Sequence, residues 1–315
     1  MTVRPLDFLD LPFLARYRRH ALTLDSLRLL TRGHPLGAAA LLAYLDPRRF
    51  IYTAIARQDE TALVGQVILD EGGASARLTC LAPANRFDGP IQPLLDHLSR
   101  KAAEWGALHL LAEVDEESPA FKSLRQAGFS MYAWQRVWRL PEAEDRPEAA
   151  PWRAAEERDW AAVQALYAQI IPVLLQPMEA LPRQAAGLVC FTESGLQAFA
   201  LVHSGAAGIF VQPLIPPDSA CFPEQIAGLA QAVHSRERPV YLAVRSYQAW
   251  LEAPLAEAGA QAGPRQAVMV KRLARVVKEP QAVSAMEKVL GKAKPAAPVS
   301  RVEPQASETS KTLEV

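Results

Sequence analysis

Glu113 stands near the end of an apolar run, Leu108 to Val114 (LHLLAEV), just ahead of the acidic loop Asp115-Glu116-Glu117. A glutamate in that position can take a proton from an amine; the alternative is a strand-edge carboxylate facing water. The acidic loop could attract a cationic amine, or simply give a hydrophilic connection and a negatively charged helix start. Tyr52 and Tyr132 could supply phenols, although aromatic residues in strands more often belong to the core. His97 and His109 lack the Asp, Ser or metal-ligand company that catalytic or metal-bound histidines keep. Cys80, Cys190 and Cys221 are widely spaced and odd in number, which fits reduced thiols in a cytoplasmic protein better than a disulfide framework or zinc site. Between the apolar Leu81-Ala82 and the next helix, Arg86-Phe87-Asp88-Gly89-Pro90-Ile91 reads as a strand-to-helix loop.

The elements that must hold these residues follow from periodicity. Thr2 to Leu6 is expected to be a strand, Asp7 to Ala21 a helix, and Leu24 to Leu45 a second helical region broken at Gly33-His34-Pro35. Strands follow at Phe50 to Ala56, Ala62 to Leu69 and Ala74 to Leu81. Pro93 to Trp105 is a helix stopped by Gly106. Then come the strand at Leu108, a helix over Pro119 to Ala127, and a strand from Met131 to Leu140. A second series has helix Glu156 to Leu175 and strands Gly187 to Thr192, Leu196 to His203 and Ala207 to Leu214. It continues with helix Glu224 to His234, strand Val240 to Val244, helix Gln248 to Ala258 and strand Gln266 to Leu273.

The second series repeats the first. Leu111-Ala112 matches Leu242-Ala243, and Gly128 matches Gly259, at one offset of 131 residues. Val3-Arg4-Pro5 with Asp10 matches Trp152-Arg153-Ala154 with Asp159, and VWRL at Val137 matches VKRL at Val270. The chain therefore reads as two diverged copies of one α/β unit. Residues 1–141 form the first domain, 142–150 a charged, Pro-rich linker and 151–277 the second. Residues 278–315, rich in Ala, Pro, Ser, Lys and Glu, should be disordered. Thirty-four basic residues balance 34 acidic ones. No basic cluster interrupts either half, which argues against nucleic acid, and no apolar run is long enough for a membrane span.

This element order, with Arg-Pro-Leu and then Asp-Leu at the start, resembles the GNAT superfamily of acyl-CoA-dependent N-acetyltransferases. The resemblance implies an α/β (α+β) fold of two tandem GNAT-like domains, each a mixed, mostly antiparallel sheet flanked by helices. It implies transfer of an acetyl group from acetyl-CoA to an amine, with the cofactor between two splayed strands. Leu81, Ala82 and the turn Arg86, Phe87, Asp88, Gly89, Pro90 and Ile91 would be the cofactor site. Backbone N–H groups at the turn and helix start would hold the pyrophosphate. Arg86 and Gly89 match the family's turn; Asp88, Pro90 and Ile91 depart from it. Ala112-Glu113-Val114 resembles the strand that carries the general base, making Glu113 the catalytic candidate. The family's tyrosine acid falls on Leu124, and its frequent helix-head asparagine on Glu117. In the second copy those positions are Val244, Leu255 and Gln248, and Gln212 to Pro223 has no glycine turn, so that copy is expected to be degenerate. The alternative is a non-catalytic tandem GNAT-like protein, a pseudoenzyme serving as a binding or regulatory module.

Overall fold

Six strands of the first half and six of the second lie side by side in one sheet, with a seventh short strand of the first half set into it. The computed structural model describes residues 2–7, 10, 14, 17–37, 50–58, 61–70, 72–84, 91–141, 151–182, 186–192, 195–218, 222–233 and 238–274. The expected linker 142–150 and the expected tail from 278 lie outside the described residues.

The first half contains β1 (Thr2–Pro5), β2 (Leu22–Thr23), α1 (Ser26–Arg32), β3 (Ile51–Gln58), β4 (Thr61–Leu69), β5 (Ser75–Ala82), α2 (Ile91–Glu104), β6 (His109–Asp115), α3 (Pro119–Gln126) and β7 (Ser130–Arg139). The second contains β8 (Trp152–Ala154), α4 (Trp160–Ile170), β9 (Gly187–Thr192), β10 (Gly195–Ser204), β11 (Ile209–Leu214), α5 (Phe222–Ala232), β12 (Val240–Arg245), α6 (Glu252–Glu257) and β13 (Gln261–Arg272). The strand order is β1-β3-β4-β5-β6-β13-β7-β12-β11-β10-β9-β8, with β2 paired to β5 off that path. All neighbours are antiparallel except β5 with β6 and β11 with β12. The last strand of the chain thus enters the first half, between β6 and β7, while β7 borders β12 of the second.

Three expected elements change length for local reasons. The helical region expected from Leu24 begins only at Ser26, after strand β2, because Asp25 caps α1 by accepting the Arg28 N–H at 3.1 Å. A cap residue is extended, so the chain before it cannot be helix. The helix expected through Leu175 stops at Ile170, since Ile171 precedes Pro172 and is extended. The helix expected over Gln248 to Ala258 is a 3₁₀ segment, Ser246–Leu251, joined to the short α6.

The repeat is visible in the side chains. Arg4 grips Asp10 with two bonds of 2.7 and 2.8 Å, and Arg153 grips Asp159 with the same two distances. In each copy the aspartate also accepts a backbone N–H three residues earlier, from Asp7 or Glu156. Gly128 and Gly259 both end their helices in the left-handed region, at φ +87° and +79°. Helix α2 lays Leu94, Leu95, Leu98 and Ala102 on the sheet. It comes so close that a Cβ on Gly65 would sit 2.7 Å from Leu98. Each fully buried leucine contributes about 1.5–3 kcal/mol, so this face anchors the start of α2.

Candidate functional site

Parallel strands β5 and β6 pair only from Ser75–Arg77 to His109–Leu111 and then part. The opposite edges of both strands are occupied, that of β5 by β4 and that of β6 by β13. Whatever lies in the opening must therefore meet the free backbone groups of β5 beyond Arg77 and of β6 beyond Leu111. The chain's own segment His20 to Ser26 does so. Leu22 and Thr23 pair antiparallel with Leu81 and Cys80. The Leu24 N–H donates to the Thr79 carbonyl at 2.9 Å, and the Glu113 N–H donates to the Leu24 carbonyl at 2.8 Å. Farther out, the Ala84 N–H reaches the His20 carbonyl. Leu24 itself is 1% exposed, within the core cluster that includes Leu78 and Leu81. The wedge is closed by a strand from within.

Glu113 marks the inner end of that closure. Its Oε2 accepts the Ser26 N–H at 2.9 Å, and its Oε1 lies 3.7 Å from Arg245 Nη2 and 3.8 Å from Arg77 Nη1. At 4% exposure it does not face water, which corrects the strand-edge alternative. Burial pushes its carboxyl up, but Arg245, Arg77 and the Ser26 bonds outweigh that and leave it below the usual glutamate range. A carboxylate held this way is ionised at neutral pH and a weak proton acceptor.

The charges around it continue into both halves. Arg77 bonds Asp70 at 2.9 Å, which also takes Arg28 at 3.0 Å. Arg245 lies 3.1 Å from Glu179, whose carboxylate also accepts the Tyr132 hydroxyl at 3.0 Å. Asp25, buried 2.9 Å from Arg28, is pushed above the usual aspartate range by desolvation. Arg245 also donates to the Gln135 carbonyl oxygen, Gln135 donates to Gln266 at 2.8 Å, and Gln266 donates to Asp115 at 2.9 Å. Burial and the Glu179 charge raise Tyr132 well above the ordinary phenol value. This keeps it a donor to Glu179, not an acid poised near neutrality.

The other residues expected at the site are placed as follows. Leu81 and Ala82 are buried on β5, with Leu81 paired to Leu22. Arg86 to Pro90 lie outside the described residues. Ile91 is the first residue of α2, and its side chain packs into the core with Leu94 and Leu95. Leu124 is wholly buried in the same core, while Glu117 is exposed. Tyr52 of β3, partly buried against the core, is bonded to His97 of α2 at 2.7 Å. In the second half, β11 and β12 also part, after Val211 and Leu242. There the Gln248 amide bridges, donating to the Pro213 carbonyl at 3.0 Å and accepting the Ile215 N–H at 3.4 Å. A cavity of about 80 Å³ remains beside it, lined by Arg245, Tyr167 and Tyr247 among others.

Arg77, Arg245, Ser26, Asp25 and Glu179 were not singled out in the sequence. The signal available was a lone arginine in each of two apolar strands, Ala76-Arg77-Leu78 and Ala243-Val244-Arg245. A charge in such a strand needs a partner if buried, but the sequence does not say which. Among the described residues no group of His, Cys, Asp or Glu is arranged to hold a metal ion. Nor is any helix among them long and apolar enough to cross a membrane.

No protein-family model matches the sequence, and neither does any curated protein. Solved structures do match. An acetyltransferase of the GNAT family from Colwellia psychrerythraea is 11% identical over 86% of this chain and 100% of its own, with TM-score 0.46. A tandem GNAT protein from the clavulanic acid biosynthesis pathway is 13% identical over 86% and 98%, with TM-score 0.49. A GCN5-related N-acetyltransferase from Sphaerobacter thermophilus is 17% identical over 86% of this chain and 95% of its own, with TM-score 0.52. This chain has the GNAT fold. At that identity the likeness is one of architecture. In GNAT terms β5 and β6 are the splayed pair of the first copy, β11 and β12 that of the second, and each copy's final strand lies beside the other copy's splayed strand.

Proposed function

We propose that this GNAT-fold protein serves as a binding or regulatory module, and that it does not transfer acetyl groups from its first wedge. One observation carries the reading: the opening between β5 and β6 is taken by the segment His20 to Ser26, hydrogen-bonded to both strands. An acyl-CoA entering there would have to displace a buried leucine and at least two backbone bonds. Two further features support it. Glu113 is held as a carboxylate by Arg77 and Arg245, and Leu124 offers no proton for a leaving thiolate.

The second reading, N-acetyl transfer from acetyl-CoA to an amine acceptor, is favoured by the fold. Isothermal titration with acetyl-CoA separates the two. The module reading expects no heat at hundreds of micromolar cofactor. Binding accompanied by turnover of an amine would overturn it.

A further inference from the structure

We infer that a groove between α1 and the ends of β7, β12 and β13 binds a small organic monocarboxylate with an apolar body. This deepens the reading above by naming what the module binds. The groove encloses about 400 Å³, within the roughly 300–1,000 Å³ typical of small-molecule sites. Leu29 and Leu30 of α1 and Val137 of β7 give it apolar walls.

Its polar groups are unequal. At one end Arg139 and Tyr241 stand directly opposite each other on β7 and β12, and so share a face of the sheet. Arg136, on the opposite face of β7, is bonded to Glu252 at 3.0 Å. The Arg139 guanidinium, by contrast, has no ion pair or hydrogen bond among the described residues, and it lines the groove. Beside it β13 bulges at Gly263-Pro264, where its register with β7 slips between Ala262 and Arg265. A Cβ on Gly263 would lie 2.8 Å from the Val137 carbonyl, so the close approach requires glycine. At the far end, Ser26 and Asp115 are both bonded to Gln266, at 3.0 and 2.9 Å. An unmatched guanidinium fork above apolar walls selects a carboxylate. The negative charge of Asp115 at the other end disfavours a second one.

The test uses the full chain and ligand-observed NMR with butanoate, hexanoate, octanoate and phenylacetate as probes, and hexanol and adipate as controls. The expected result is binding of at least one monocarboxylate, weakened about tenfold or more in Arg139→Gln, the scale of a lost charged hydrogen bond. Arg139→Lys should be intermediate, with hexanol and adipate weaker than hexanoate. The inference is overturned if none of the four acids binds at millimolar concentration, if Arg139→Gln binds them as the wild type does, or if hexanol binds as well as hexanoate. Arg139 is exposed, so its variants should fold. Val137→Trp, which fills the groove, is a second check where it folds. Acetyl-CoA titration reports on the wedge and not on this groove. Cofactor binding with intact, Arg139-dependent carboxylate binding would sink the module reading and leave the groove standing. Absence of both would do the reverse.

Discussion

Gln135 and Gln266 face each other across β7 and β13, and the Gln135 amide donates to the Gln266 carbonyl at 2.8 Å. They are 131 residues apart, the offset that also relates Leu111 to Leu242 and Gly128 to Gly259. A residue bonded to its own repeat equivalent lies on the pseudo-twofold axis of the molecule. The bulges agree: the extra residue is Tyr132 on β7 and falls at Gly263-Pro264 on β13, again 131 apart for Tyr132 and Gly263. The VWRL and VKRL runs, 133 apart, are therefore not equivalents in the sheet. They match in composition and are two residues out of register.

The exchange of final strands makes each half depend on the other. Without β13, strands β6 and β7 lose the partner between them, and seven pairs with β6 and eight with β7 go unmade. A fragment of residues 1–141 should therefore fail to fold alone, giving an unstructured or aggregated species by circular dichroism and gel filtration. Co-expression with residues 151–274 should restore a soluble complex. A monomeric, cooperatively folding 1–141 would contradict the exchange.

Helix α1 is seated on the second half through glycine. The Ala207 N–H donates to the Thr31 carbonyl at 2.9 Å, and a Cβ on Gly205 would come within 2.1 Å of that same oxygen. Backbone cannot give way as a flexible side chain can. Gly205→Ala should lower stability by about 2 kcal/mol, in the range of overpacking, as read from urea unfolding. A neutral result would mean that α1 is free to shift.

Much of this was legible before the structure. The Arg-x-x-x-x-x-Asp spacing at Arg4–Asp10 and Arg153–Asp159 is local, and local pairs survive into the fold as ion pairs of matching geometry. Strands such as Gly187–Thr192 were bounded by their turn residues. What could not be read was long-range. Leu22-Leu24 is short, and only contacts with Thr79 and Glu113, far along the chain, make it a strand inside the wedge. The partners of Glu113 come from β5 and β12, so no window of sequence contains them.

Glu113 is expected to matter for folding more than for chemistry. Glu113→Gln removes the carboxylate between Arg77 and Arg245; Arg77 keeps Asp70 and Arg245 keeps Glu179, so the loss should fall below the about 3–5 kcal/mol of a buried pair broken outright. Because its folded value lies below the unfolded one, its contribution is complete above the ordinary glutamate range and fades as pH falls through the folded value. Chemical denaturation of wild type and variant should differ at neutral pH and converge in acid. Asp25 runs oppositely. Raised in the fold, it costs stability as pH rises through its folded value, so Asp25→Asn should lose little at neutral pH beyond any change in capping.

The wedge strand gives the last prediction. The amides of Leu24 and Glu113 each donate to a carbonyl across the wedge, and both residues are almost fully buried. An amide in that setting exchanges only when the strand leaves the wedge. Hydrogen exchange should therefore find Leu24 as protected as Leu110 and Leu111 in the sheet, with acetyl-CoA changing nothing. Leu24→Ala removes the buried anchor, at a cost of about 2–5 kcal/mol. In that variant the Leu24 amide should lose protection before those of β4 and β13 do. Were the wild-type amide to exchange within seconds while the sheet stayed protected, the segment would be a loosely held lid, and the wedge would be open to a cofactor after all.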